Sequence, residues 1–157
     1  MDPFSITVGV VGLMATGSKV MDILKTLSDS SKGIDERVRA LIGEVETFNR
    51  VLGSTKATLE SRELRPLFHS TGHLADHWRN IAACIRDGEK SMADFASAFE
   101  KVDKSVRFMD SARKALRLKA ALDDVAAFQR RLSSCRDTIQ LSLQAALLWV
   151  IARFPSG

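Results

Sequence analysis

Three groupings in this 157-residue chain have residue types and spacings that could do chemistry. The first, Gly12-Leu13-Met14-Ala15-Thr16-Gly17-Ser18-Lys19, nearly spells a phosphate-binding loop after a run of β-branched residues. That motif needs Lys directly after the second glycine, where its ammonium reaches the β/γ-phosphates, and then Ser or Thr for the metal. Here Ser18 and Lys19 are transposed, and no alternation of strands and helices follows, so the segment reads as a glycine-containing helix. The second grouping is His69, His73 and His77, at i, i+4 and i+8, which would stack three imidazoles on one helix face in a legitimate zinc spacing. Against this, Ser70-Thr71-Gly72 reads as a helix start that leaves His69 outside, and no Cys or carboxylate claims a further ligand position. No metal and no cofactor is expected, and the histidines read as surface groups near a helix N-terminus. The third is Cys84 and Cys135, which lie beside apolar stripes and read as packed thiols rather than a redox pair; two cysteines without a secretory signature point to a reducing intracellular compartment. No nucleophile, base and orienting group assemble, so neither a catalytic residue nor enzymatic activity is expected.

Charge is distributed unevenly. Residues 1–100 carry 12 basic and 14 acidic groups, and residues 101–157 carry 11 and 5. The excess concentrates in Arg107, Arg113, Lys114, Arg117, Lys119, Arg130 and Arg131. Two readings stand: a solvated helix face, or a surface for anionic phospholipid, where each cation contributes on the order of 1 kcal/mol. Nucleic acid is not expected, because no aromatic interleaving or docking motif accompanies the charge.

The elements that must position these groups are helical. Prolines occur only at Pro3, Pro66 and Pro155, Tyr is absent, and apolar residues recur with helical period over most of the length. The fold class expected is all-α, a bundle of four to five helices with an apolar N-terminal helix. One domain over 1–153 is expected, with 154–157, Phe-Pro-Ser-Gly, as a linker or cut end.

Helix one is the most unusual element. From Pro3 to Ser18 no charge occurs, and Phe4, Ile6, Val8, Val10, Val11, Leu13 and Met14 crowd the run. At roughly 1.5–3 kcal/mol each they hold an upper bound of about 10–20 kcal/mol of burial free energy, so a core or a bilayer must cover them. The run is not a signal peptide, since Asp2 replaces the positive leader, and before Lys19 and Asp22 it falls short of the ~20 residues of a conventional membrane span. Asp2 caps and Pro3 fills the first turn; Ile6, Val10, Leu13, Gly17, Val20, Leu24 and Leu27 then form one stripe. Gly9, Gly12 and Gly17 each cost about 1 kcal/mol against alanine. Close helix packing offsets that cost, and the small pairs Ser5/Gly9 and Gly12/Thr16 suit a lipid-embedded or a soluble partner helix equally.

Helix two follows Ile34, Val38, Leu41, Val45, Phe48 and Leu52 as a narrow seam. Gly53 to Ser70 is the least periodic stretch and reads as a long connection. Helix three threads Leu74, Ile81, Ile85, Met92, Phe95, Phe99 and Val102, with a bend expected at Asp87-Gly88. A turn or short helix over Arg107 to Lys119 leads to a last helix through Leu118, Leu122, Val125, Leu132, Cys135, Ile139, Leu143, Ala146 and Val150. The uncharged stretch Thr138 to Ala152 is expected to run through the middle of the bundle.

The opening MDPFSITVGVVGLMATGSKVMDIL resembles the start of the fungal N-terminal domain of STAND proteins, the HeLo-like domain. Met1, Asp2, Pro3, Phe4, Ser5, Val8, Gly9, Gly12, Leu13, Thr16, Gly17 and Lys19 occupy its characteristic places. Leu41, Glu44, Val45, Cys84 and the region 132–143 are similar in order and spacing, with far less specific residues. The resemblance implies a helical bundle related to the HeLo cell-death domain and to the four-helix executioner domain of necroptosis. Such domains are toxic effectors at the N-terminus of NOD-like receptors or ahead of an amyloid-forming motif, and in this chain those partners would lie outside residues 1–157. They act when oligomerisation releases the N-terminal helix into the plasma membrane.

The expectation is therefore a membrane-targeting, pore-forming domain of programmed cell death and innate immunity, cytoplasmic at rest and at the plasma membrane when active. Phe4, Ile6, Val8, Val10, Val11, Leu13 and Met14 would insert, Gly9, Gly12 and Gly17 would pack helices, and the seven cations would meet anionic lipid as copies oligomerise. The alternative is a soluble helical adaptor with helix one permanently in the core.

Overall fold

The computed structural model describes residues 3–30, 36–69, 72–106 and 111–154. They are almost wholly helical, with no strand among them: α1 (Pro3–Ser30), α2 (Glu36–Glu60), α3 (Arg65–His69), a 3-10 turn (Gly72–Leu74), α4 (Ala75–Val106) and α5 (Ser111–Arg153). The four long helices form a bundle in which α1 and α5 each pack on both α2 and α4. Helices α1 and α5 thus occupy opposite corners. Close approaches of Gly9 to Ile85 and Gly12 to Glu89 show that α1 and α4 run parallel. Antiparallel pairing of α4 with α5 brings Cys135 to Gly88 and stacks Phe128 on Phe95, with centroids 4.3 Å apart.

The core follows the helical stripes. Ile6, Val10, Leu13, Val20 and Leu24 of α1 are buried, as are Val38, Leu41, Val45, Phe48 and Leu52 of α2. Leu74, Ile81, Ile85, Met92, Phe95 and Phe99 are buried too, as are Val125, Leu132, Cys135, Ile139, Leu143, Ala146 and Val150 of α5. Ile34 and the side chains of Leu27, Val102, Leu118 and Leu122 lie outside the described residues. Gly88 sits where all four long helices meet. A Cβ there would lie in ordinary contact with Leu13 of α1, Phe48 of α2 and Cys135 of α5, at 3.4–3.6 Å.

Three local expectations are corrected. The long connection is shorter than the sequence predicts, because α2 continues through Gly53 to Glu60. Thr55 keeps the seam going: it is buried, and its hydroxyl donates to the Val51 carbonyl at 2.8 Å, so a polar residue fills an apolar position at no hydrogen-bonding loss. Helix α4 runs unbroken through Asp87-Gly88, as its apolar stripe predicts. The helical part of 107–119 belongs to α5 itself from Ser111 onward, while 107–110 lie outside the described residues. Finally, the uncharged end of α5 is not enclosed: Leu141, Leu148 and Ile151 are exposed on its outer side.

Between α2 and α4 the short α3 packs Phe68 edge-on against Trp78, with centroids 5.1 Å apart. This closes the bundle end at which α1 begins, where Phe4 and Thr7 lie beside Leu59, Glu60, Arg65 and His69.

Candidate functional site

At 100° per residue, Phe4, Val8, Val11 and Ala15 fall within an arc of about 60°, and Ile6, Val10, Leu13, Gly17, Val20 and Leu24 fall on the opposite side. The structure divides the seven apolar residues of the N-terminal run along that line. Phe4, Val8 and Val11 are 62%, 59% and 49% exposed, Ile6, Val10 and Leu13 are buried, and Met14 is half-buried with its methyl facing Gly53. Only the first three form a surface. Further along the same arc stand the exposed Lys19 and Asp22, so the apolar strip ends near Ala15, roughly 17 Å from its start at 1.5 Å per residue.

Phe4–Thr26 is, among the described residues, the one segment long and apolar enough to cross a membrane, at 23 residues, a test the core helix of a soluble protein also passes. The 17 Å strip reaches only about half of a ~30 Å hydrocarbon layer. The other side of α1 is held by the bundle.

The three glycines face neighbouring helices, while Ser5 is exposed. A Cβ on Gly9 would meet Ile85 Cγ2 at 3.1 Å and one on Gly12 would lie 3.8 Å from Glu89 Oε1, so this side of α1 allows α4 to approach. Gly17 faces α2, where a Cβ would come within 2.5 Å of Asn49 Oδ1. The Thr16 hydroxyl donates to the Gly12 carbonyl at 3.1 Å and so stays within α1.

Sequence periodicity missed a second outer strip. Leu141, Leu148 and Ile151 share the solvent side of α5, at spacings of seven and three, and their signal was hidden because the stretch 138–152 carries no charge to mark that side. Since α5 runs antiparallel to α4, this strip lies at the same end of the bundle as Phe4, on the opposite corner. Beside it Arg153 stacks over the Trp149 ring at 5.1 Å.

The basic residues are elsewhere. Arg113, Arg117, Lys119, Arg130 and Arg131 are exposed, while Arg107 and the Lys114 side chain lie outside the described residues. Arg130 and Arg131 line a cleft of about 710 Å³ between α4 and α5, together with Lys90 and Asp94. Helical register puts them roughly 15 Å along the bundle from Val8, and Arg117 roughly 30 Å away. The structure does not bring the cations and the α1 strip onto one face.

The remaining chemistry is dispersed. Gly12 to Lys19 lies within α1, away from any helix N-terminus that would cradle a phosphate. His69 ends α3 and His77 lies in α4, so no single helix carries all three histidines; the His73 side chain is outside the described residues. No group of three His, Cys, Asp or Glu among the described residues is placed to hold a metal ion. Cys84 and Cys135 are free thiols, and that of Cys135 donates to the Cys84 carbonyl at 2.8 Å. Burial first, then the neighbouring Cys84 and Asp87, pushes the Cys135 thiol up to about 12.

No curated protein and no solved structure matches the chain. Residues 1–152 match the family described as the N-terminal domain of the pigment biosynthesis cluster protein PigL, and the chain belongs to that family, a fungal N-terminal domain family of pigment cluster proteins.

Proposed function

We propose that this chain is a membrane-targeting effector domain of the HeLo-like type, whose contact with lipid begins at the outer strip of α1. The observation that supports this reading is the exposure of Phe4, Val8 and Val11 on one uncharged face at the very start of the bundle. Burying their exposed portions in an interface contributes about 1–2 kcal/mol each, or about 4 kcal/mol in total. That corresponds to a dissociation constant of about 1 mM for one copy, and several linked copies multiply it. Clustering therefore decides attachment.

Full release of α1 is a second stage. It would bare the α2 and α4 faces that now cover Ile6, Val10, Leu13, Val20 and Leu24, so neighbouring copies would have to cover those faces as α1 enters lipid. Cations at Arg113, Arg117, Lys119, Arg130 and Arg131 would act on anionic lipid in that assembled state, because in the single bundle they are distant from the strip.

A soluble adaptor is the second reading, favoured by the burial of one whole side of α1. Co-flotation with, and dye release from, phosphatidylserine-containing vesicles separates the two. With copies clustered by a fused oligomerising tag, the effector reading expects both from the native sequence and neither from Val8→Glu/Val11→Glu at equal helicity. Equal behaviour of native and variant chains would overturn it.

A further inference from the structure

The α4/α5 cleft holds two thiols that the proposed function does not use. Cys84 is half-buried and Cys135 buried, both line the cleft wall, and both are free. The Cys135 sulfur lies 2.8 Å from the Cys84 carbonyl oxygen, so the two residues meet directly across the α4/α5 contact. They come from positions 51 residues apart on adjacent antiparallel helices, so the fold and not the local chain puts them together. Two cysteines in direct contact on one open cleft, with no group of three metal-ligating side chains among the described residues, fit one chemistry: reversible oxidation to a disulfide.

We propose that Cys84 and Cys135 form a dithiol site that hydroperoxides oxidise to an intramolecular disulfide between α4 and α5. Cys84, the more accessible of the two, is the first to react: its sulfur attacks the peroxide O–O bond, giving a sulfenic acid and, from hydrogen peroxide, one water. The Cys135 sulfur then attacks the Cys84 sulfur, the S–O bond breaks, and the departing hydroxide takes the Cys135 proton and leaves as a second water. Two thiols are oxidised by two electrons in all, and one peroxide is reduced to two waters. Thiols elsewhere restore the pair by exchange. The bond crosses the bundle beside Gly88, where all four long helices meet, and closing so long a chain segment restricts the unfolded state.

The test treats the full chain with hydrogen peroxide and then unfolds and alkylates it before intact-mass measurement. The expected product is a monomer lighter by two hydrogens, with neither cysteine alkylated, one peptide pair joining Cys84 to Cys135, and a raised melting temperature that dithiothreitol returns to its starting value. In Cys135→Ser, dimedone should capture a sulfenic acid at Cys84, and in Cys84→Ser the buried Cys135 should survive peroxide unmodified. Helicity is checked in each variant. A disulfide between two copies, or a native chain that gains oxygen at Cys84 while Cys135 remains alkylatable, would overturn the proposal, and neither result depends on whether the protein binds membranes.

Discussion

Gly17 of α1 lies against Asn49 of α2 so closely that a Cβ at position 17 would stand 2.5 Å from Asn49 Oδ1, and that oxygen is buried without a hydrogen-bond partner among the described residues. The joint between α1 and α2 thus combines a close approach with an unsatisfied acceptor, which makes it a weak point in the grip on α1.

Gly17→Ala is expected to lower stability by about 1–3 kcal/mol, because the asparagine must give way. In an Asn49→Ala background the obstacle is gone, so the same change should become neutral or stabilising through the ~1 kcal/mol helix preference of alanine. Gly43→Ala supplies the control: the residue is exposed in mid-α2 with nothing within 4 Å of its Cβ position, and stability should rise by about 0.5–1 kcal/mol. Urea unfolding of the four variants checks the coupling. Equal losses for Gly17→Ala in both backgrounds would remove Asn49 from the account.

Val10 and Val11 are neighbours in sequence and opposites in the bundle. Val11→Glu places a charge in water and should change stability by no more than about 0.5 kcal/mol. Val10→Glu buries an unpaired carboxylate between α1 and its partners and should cost about 3–5 kcal/mol or prevent folding. Circular dichroism melts decide this, and a folded Val10→Glu chain as stable as Val11→Glu would show that α1 does not pack as described. The same pair makes the vesicle experiment interpretable, since only the outer substitution tests lipid contact in an intact fold.

The inner side of α1 was legible in the sequence because its apolar residues recur at the helical period and the second half of the helix carries charge on the other side. Where that contrast was missing, reading failed. Residues 4 to 15 are uncharged all round, so although periodicity put Ile6, Val10 and Leu13 on one stripe, nothing in the sequence showed that Phe4, Val8 and Val11 would be left in solvent. Likewise Leu141, Leu148 and Ile151 stand in the uncharged stretch 138–152, where no charge sets the outer side of α5 apart from the inner one. Thr55 interrupted an otherwise apolar seam and made the end of α2 resemble a loop. The separation of the cations from the α1 strip depends on which helices are diagonal and which antiparallel, and no local pattern encodes that.

Another relationship beyond the reach of sequence is the pairing of Glu44 with Arg136, 92 residues apart. Arg136 Nη1 donates to Glu44 Oε1 at 2.7 Å, with side chains only 20% and 15% exposed, and Arg136 also reaches Ser133 and Asp137. Partial burial and the further acceptors Ser133 and Asp137 on the same guanidinium make this pair matter more than exposed ones. Glu44→Ala should lower stability by about 1–3 kcal/mol, whereas Asp76→Ala, which breaks the exposed pair with Arg79 within α4, should cost no more than about 0.5 kcal/mol. A double-mutant cycle of Glu44→Ala with Arg136→Ala isolates the coupling. A coupling near zero would reduce the pair to a surface contact.

Cys135 makes stability depend on alkaline pH. Its thiol is held well above the ordinary value of 9.0 by burial and by the adjacent Cys84 and Asp87, with only the Gly88 backbone N–H acting the other way. The folded state therefore keeps a proton that the unfolded chain loses above pH 9, and unfolding becomes easier as pH rises from there toward about 12. Below pH 9 the contribution is fully present, so it should not alter stability between pH 7 and 8. Urea midpoints of the native chain should fall between pH 9 and 11 more steeply than those of Cys135→Ala, in which the titrating group is gone. Parallel curves for the two proteins would mean that the thiol ionises as readily in the bundle as in the unfolded chain, and that the α4/α5 contact around it is open to water.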